Sequence, residues 1–395
     1  MSGLTTKLPT FEEIEKIAKE TYKLSFGKTP EISCCAPGRV NLIGEHVDYN
    51  DGFVLPMALP MVTIIVGGPN GKKDEADIVT RCDGADEPKK VRVNLKTLQP
   101  GTPKWANYVK GVIHSFGHPV AGFNAVIVSN VPVGGGLSSS AALEVATLTF
   151  LEQLTGKAAE SNARRALICQ EAEHKFVGMP CGIMDQMISV AGKKDHALLI
   201  DCRSLETFQI PFLAKDLVVL ICNSNVRHEL SDSEYPTRRK QCTEALRLMD
   251  LKSYRDATEG NLSALDGAEE VLLKRARHVI TEIKRTQLAC EAMRDCNFEE
   301  MGKLMTQSHV SLRDDFAVSC DELDVLVASA INCAGVLGSR MTGGGFGGCT
   351  VTLVGQSSVG NVIARMRENF NEKFNNSGQN LEFYICTPSD GTRRI

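Results

Sequence analysis

Ile14, Ile17 and Tyr22 recur at helical spacing behind Thr10-Phe11-Glu12-Glu13, where a threonine three residues ahead of a glutamate has the form of a capping box. The pattern predicts a first helix ending near Gly27. Strand-like runs follow at residues 32–36 and 53–66. Helices are expected over 105–116, over 139–154 with Leu143, Ala146, Leu148 and Leu151 facing a core, and over 160–176. Strands return at 196–201 and 217–223. Residues 233–312 read as mainly helical and charged, with breaks near Asp250 and Gly260-Asn261. The end alternates again: helix 321–333, strand 349–354, helix 358–374, strand 381–386. Such mixing predicts an α+β fold in two domains, 1–210 and 211–395, joined between Asp201 and Asp216 where Pro211 interrupts.

Composition narrows the class. At 395 residues the chain is long enough for two ordinary domains, and 43% hydrophobic with 23% charged residues describes a soluble globular protein. A net charge of -4 supplies no basic footprint, so no nucleic-acid partner is expected, and Arg238-Arg239-Lys240 reads as a solvated helix face. The most apolar stretch, 54–66, is broken by Pro56 and Pro60 and too short for a bilayer. Residues 1–10 lack the charged-then-apolar order of a signal peptide, so no membrane partner is expected. The 14 cysteines form no CxxC pair and read as reduced, buried, small apolar residues, which points to the cytoplasm.

Chemistry concentrates in three segments. In the first, Ala125-Val126-Ile127-Val128 leads into Gly134-Gly135-Gly136, and Ser138-Ser139-Ser140 opens a helix. Glycines admit a close ligand, and the first helical amides are unpaired at the positive end of the dipole, so the turn can cradle phosphate. A serine-capped strand-to-helix turn is the alternative. This segment is neither a Walker loop, since no Gly-Lys-Ser/Thr follows, nor a dinucleotide fingerprint, since its glycines lack the GxGxxG spacing. In the second, Arg39, Glu45, His46 and Asp48 crowd a loop framed by Pro37 and Gly38. Carboxylates and imidazole so close can bind several sugar hydroxyls, form an exposed polar turn, or hold a metal, the last weakened by the lack of a second histidine at partner spacing. In the third, five glycines between Gly343 and Gly348 enter an apparent strand. Two glycine loops in opposite halves favour a cleft between domains.

These segments resemble the GHMP small-molecule kinases, which share PGRVNLIGEH (37–46) with DYN (48–50), PVGGGLSSSAALE (132–144) and MTGGGFGGCTV (341–351) in this order. CGIMDQ (181–186), HALLIDCRSLET (196–207), 223–242 and SLRDDFAVSCDELD (311–324) extend the likeness over nearly the whole chain. The resemblance implies two α+β lobes with mixed sheets and helices, and an active site in the cleft between them. It implies transfer of phosphate from ATP to the anomeric hydroxyl of galactose. N-acetylgalactosamine is the competing acceptor, and a non-catalytic galactose sensor a more distant alternative. By the same resemblance Gly134, Gly135, Gly136, Ser138, Ser139 and Ser140 wrap the ATP phosphates, while Trp105 and Tyr108 flank adenine. Glu45, His46, Asp48, Gly182 and Tyr235 bind the sugar, and Asp185 and Arg39 are catalytic as well as sugar-contacting. Ser139 and Glu173 ligate Mg2+; spacing alone makes Glu173 a solvated helix position. A monomer or weak homodimer is the expected assembly.

Overall fold

The computed structural model describes residues 4–227, 231–375 and 377–395. Met1–Gly3 of the polar N-terminus, and His228, Glu229 and Leu230 within the 223–242 stretch, lie outside the described residues.

Thr10 caps helix α1 (Phe11–Phe26) reciprocally with Glu13, and Gly27 ends it at φ 70°. A cap of this kind contributes about 1 kcal/mol. Ile14 and Tyr22 are buried, whereas Ile17 is 38% exposed, because α1 lays only a narrow stripe on its sheet. The chain continues through β1 (Ile32–Asn41), β2 (Phe53–Val54), β3 (Pro56–Pro69), β4 (Glu75–Thr80) and β5 (Lys90–Asn94). Next come α2 (Trp105–Ser115), β6 (Phe123–Ser129), α3 (Ser139–Thr155), α4 (Asn162–Ala172), α5 (Met184–Ala191), β7 (His196–Asp201), β8 (Thr207–Pro211) and β9 (Leu217–Arg227). Helices α6 (Ser231–Leu248), α7 (Glu270–Arg294), α8 (Phe298–Asp314) and α9 (Asp321–Ile331) follow. The last elements are β10 (Val336–Thr342), β11 (Gly347–Gly355), α10 (Val359–Lys373), β12 (Glu382–Cys386) and β13 (Arg393–Arg394).

The strands form three sheets, ordered β13-β1-β3-β6-β4-β5, β10-β11-β9-β12 and β2-β7-β8. The first is antiparallel except where β4 meets β6. Helices α2, α3 and α4 pack on one face of this sheet and α1 on the other, while α9 and α10 cover the second sheet. A further core joins Val40 of β1, and Leu42 just past its end, to Val219, Ile221 and Val351 of the second sheet. That shared core fixes the two glycine loops relative to each other. Among the described residues no helix is long and apolar enough to cross a membrane.

Several boundaries differ from the sequence pattern for local physical reasons. Strand β1 does not stop at Ala36 but runs to Asn41, with a bulge between Pro37 and Arg39. Arg39 therefore projects from a strand and not from a loop. Gly38 makes room there: a Cβ would fall 2.6 Å from the Leu137 carbonyl, which accepts the Arg39 N–H. Residues 201–216, read as a join, contain β8, paired to β7 throughout. The helix expected to reach Phe176 leaves α-geometry at Ala172 and passes into a π-helical turn, Glu173–Val177. Leu143 is only partly buried, whereas Ala146, Leu148 and Leu151 are core. Eight of the 14 cysteines are buried, and Cys296 is exposed.

Candidate active site

Gly134 and Gly136 adopt φ of 81° and 74°, which glycine tolerates without strain. Ser138 follows at φ 59° in the N-cap position of α3, yet its hydroxyl makes no capping bond. It donates instead to Asp185 Oδ2 at 2.5 Å. The serine-capped turn is therefore not what Ser138 builds. Asp185 stands in the first turn of α5 and accepts a bidentate pair from Arg39, Nε to Oδ1 at 2.7 Å and Nη2 to Oδ2 at 2.9 Å. Arg39 Nη1 donates to the Gly136 carbonyl at 2.6 Å. Burial pulls the Arg39 guanidinium down, but the carboxylates of Asp185, Glu45 and Asp48 outweigh it and hold the pKa above the ordinary arginine value.

The second glycine loop faces the first. A Cβ on Gly343 would lie 3.3 Å from the Gly136 carbonyl, and one on Gly348 3.3 Å from that of Gly135. Between the loops is a cavity of about 320 Å³ lined by Gly134, Gly136, Ser138, Ser139, Ser140 and Asp185. It shares Tyr108, Ser139 and Ser140 with an apolar hollow of about 290 Å³ that includes Trp105, Val133 and Leu143. The Trp105 indole donates to the Pro88 carbonyl at 3.2 Å, fixing the ring. On its other side the cavity shares Arg39, Asp185 and Tyr235 with a polar pocket of about 160 Å³ that adds Glu45, His46, Asp48 and Gly182. Arg39 and Asp185 thus stand at the junction of two compartments.

The polar pocket is tightly tied. Glu45 Oε1 accepts from the Gly343 N–H at 2.8 Å and the Thr342 hydroxyl at 2.9 Å, linking the β1 end to the second glycine loop. Burial, then His278, pushes His46 down to about 3, so its imidazole is neutral. His46 Nε2 faces the Gly344 carbonyl at 3.2 Å and must carry the hydrogen; Nδ1 accepts from Tyr49 OH at 2.8 Å. Both nitrogens are engaged, and the pocket receives the ring itself, tilted against Tyr235 with centroids 5.6 Å apart. Burial, followed by the charges of Asp185 and Glu45, pushes the Asp48 carboxyl up to about 7. Gly182 packs so closely on Asp48 that no side chain fits between them.

Glu173 is not solvated. The π-helical turn directs it inward, where it is buried on the cavity wall and accepts from Gln186 Nε2 at 2.8 Å and from the Cys181 thiol at 3.5 Å. Burial, reinforced by Asp185, raises its carboxyl to about 7. Among the described residues no cation pairs with it. Sequence reasoning missed Thr342, Gln186 and Cys181; the first lay within a quoted motif, and the other two flank Asp185 within CGIMDQ.

A galactokinase galactose-binding signature matches residues 20–69, and GHMP kinase N-terminal and C-terminal domains match 107–193 and 290–372. The galactokinase of Homo sapiens is 51% identical over 98% of this chain and 97% of its own length. The chain belongs to the galactokinase family. Likeness to other galactokinases extends to bacteria: that of Mannheimia succiniciproducens is 42% identical over 95% of this chain and 98% of its own. The crystal structure of Lactococcus lactis galactokinase complexed with galactose matches with a TM-score of 0.89 at 31% identity, covering 95% of this chain and 98% of that one. Methanococcus jannaschii mevalonate kinase, 18% identical with a TM-score of 0.61 over 91% of this chain and 98% of its own, shares the fold alone.

Proposed function

We propose that this chain, as a galactokinase, transfers the γ-phosphoryl group of MgATP to the anomeric hydroxyl of α-D-galactose, giving galactose 1-phosphate and ADP in galactose catabolism. The observation that carries the reading is the Arg39–Asp185–Ser138 network, standing where the amide-lined cavity meets the polar pocket. In this reading the apolar hollow at Trp105 and Tyr108 takes adenine, and the Gly134–Ser140 turn takes the phosphates. Asp48, the Gly182 backbone and Tyr235 meet the sugar, while Glu45 and His46 shape its pocket.

Phosphoryl transfer depends mostly on alignment and on stabilising charge at the equatorial oxygens. Alignment can supply roughly 7–11 kcal/mol of the barrier, and a general base about 10²–10⁴-fold. Asp185 accepts the proton of the attacking hydroxyl, and Ser138 and Arg39 hold its carboxylate in place. Arg39 also offers its charge to the moving group. Ser139 and Glu173 would hold Mg2+: a hydroxyl and an uncompensated buried carboxylate fit a hard, oxygen-preferring ion. The described residues contain no three-ligand cluster, so phosphates and water would complete the set. When bound, Mg2+ neutralises charge on the β- and γ-phosphates.

The fourteen free thiols support a reducing, cytoplasmic setting. The deciding experiment offers purified protein and MgATP galactose, N-acetylgalactosamine and glucose separately, then identifies any sugar phosphate by NMR. Galactose 1-phosphate as the dominant product is expected. Preference for N-acetylgalactosamine, or binding of galactose without turnover, would overturn the assignment.

A further inference from the structure

Helix α7 belongs to the charged helical region and lines none of the three compartments above. Yet His278, Glu282 and Thr286, four residues apart on one stripe, are all fully buried and face the segment Gly44-Glu45. The Gly44 N–H donates to Glu282 Oε1 at 2.9 Å. His278 Nε2 lies 3.1 Å from the Glu45 carbonyl, and because a carbonyl only accepts, Nε2 carries the hydrogen and Nδ1 accepts from Ser311 Oγ at 2.9 Å. Gly44 adopts φ 100°, and a Cβ there would fall 3.0 Å from Thr286 Oγ1 and 2.7 Å from the Phe53 carbonyl. Backbone is thus pressed directly on the helix.

Both grips are themselves fixed. Glu282 Oε1 also accepts from Ser308 Oγ at 2.5 Å, and Oε2 takes Arg285 Nε at 2.8 Å. Phe316 lies between the rings of His278 and His46, tilted 40° to each, with centroids 4.5 and 4.8 Å away. The backbone held in this way carries Glu45 and His46 on the wall of the polar pocket. We propose that His278 and Glu282 are positioning residues for the hexose pocket, clamping the two sides of Gly44-Glu45 so that Glu45 and His46 are set before sugar binds. The inference rests on the galactokinase reading of that pocket.

The test measures galactose affinity by calorimetry without nucleotide, with Michaelis constants for galactose and ATP alongside. His278→Phe keeps the ring contact with Phe316 but removes the donor to Glu45, and should weaken galactose about 3- to 10-fold, the usual worth of one net hydrogen bond. The ATP constant should stay within about twofold. Glu282→Ala should weaken galactose at least about tenfold, while Glu282→Gln, which keeps an acceptor for Gly44, should recover most of it. If Glu282→Ala does not fold, His278→Phe and Glu282→Gln carry the comparison. Galactose constants unchanged in His278→Phe, or galactose and ATP constants rising together, would overturn the clamp alone. A wild-type protein that neither binds nor phosphorylates galactose would overturn the function and the clamp with it.

Discussion

Asp185→Asn changes shape least and chemistry most. The carboxylate accepts three hydrogen bonds, two from Arg39 and one from Ser138. An asparagine oxygen can keep one arm of Arg39, but its NH2 then faces the other arm, donor against donor. One charge-assisted bond is lost, worth about 1.5–3 kcal/mol in a dry site. The Asp185 side chain is 26% exposed, so the stability cost should be at or below the lower end of that range. Arg39 keeps the nearby charges of Glu45 and Asp48, which lets the fold survive. Turnover should suffer more: with Asp185 as the proposed general base, its loss costs about 10²–10⁴-fold, or about 2.7–5.5 kcal/mol on the barrier. The assay is ADP release at saturating galactose and MgATP, with galactose binding measured separately by calorimetry. We expect kcat to fall at least about a hundredfold while galactose binding is retained. Because Arg39 and Asp185 act as one unit, an Arg39→Met/Asp185→Asn double variant should lose little beyond the worse single change. Near-normal kcat in a folded Asp185→Asn protein, or fully additive losses in the double variant, would refute the reasoning.

The remaining expectations use the same pocket. Asp48 is raised from 3.8 to about 7, so the native chain holds a proton that the unfolded chain releases. Its stabilising contribution is present at low pH and lost as pH rises through about 7, while kcat/KM for galactose should rise over the same interval as the carboxylate forms. Glu173 titrates in this range too, so urea melts and pH profiles of Asp48→Asn against wild type isolate the Asp48 share; identical profiles would contradict it. Gly182→Ala forces a methyl against Asp48, an overpacking cost of about 1–3 kcal/mol, and should raise the galactose KM about tenfold with the ATP KM unmoved. Glu173→Gln should shift half-maximal activity to higher Mg2+ and recover at excess Mg2+; sugar phosphate still formed by wild type under excess chelator would remove the ion from the reaction.

What the sequence disclosed was mostly local. The glycine–serine turn was legible because its backbone demands are written in consecutive residues, and α1 because Thr10, Glu13 and Gly27 mark both ends. Arg39 was misplaced because Pro37 and Gly38 look like loop residues, whereas here they make a bulge inside a paired strand. Strand β10 was hidden by Gly338, Ser339 and Arg340: a fully buried arginine reads as surface until its partner Glu45, far away in sequence, is known. Spacing alone placed Glu173 in solvent because the π-helical turn alters which residues face inward. The tie from Gly44 to Glu282 spans 238 positions and leaves no periodic trace.

The opposed glycine loops give the central cavity stretches of bare backbone at Gly134, Gly136, Gly344, Gly345, Gly347 and Gly348. Backbone amides recognise any triphosphate alike, so on the proposed reading this corridor has little means of telling one purine donor from another. On the proposed reading, choice of nucleobase falls to the hollow at Trp105 and Tyr108, and choice of acceptor to the chamber beyond Asp185. Donor and acceptor preferences would then be separable traits, open to independent drift or redesign, with an indifferent passage between them.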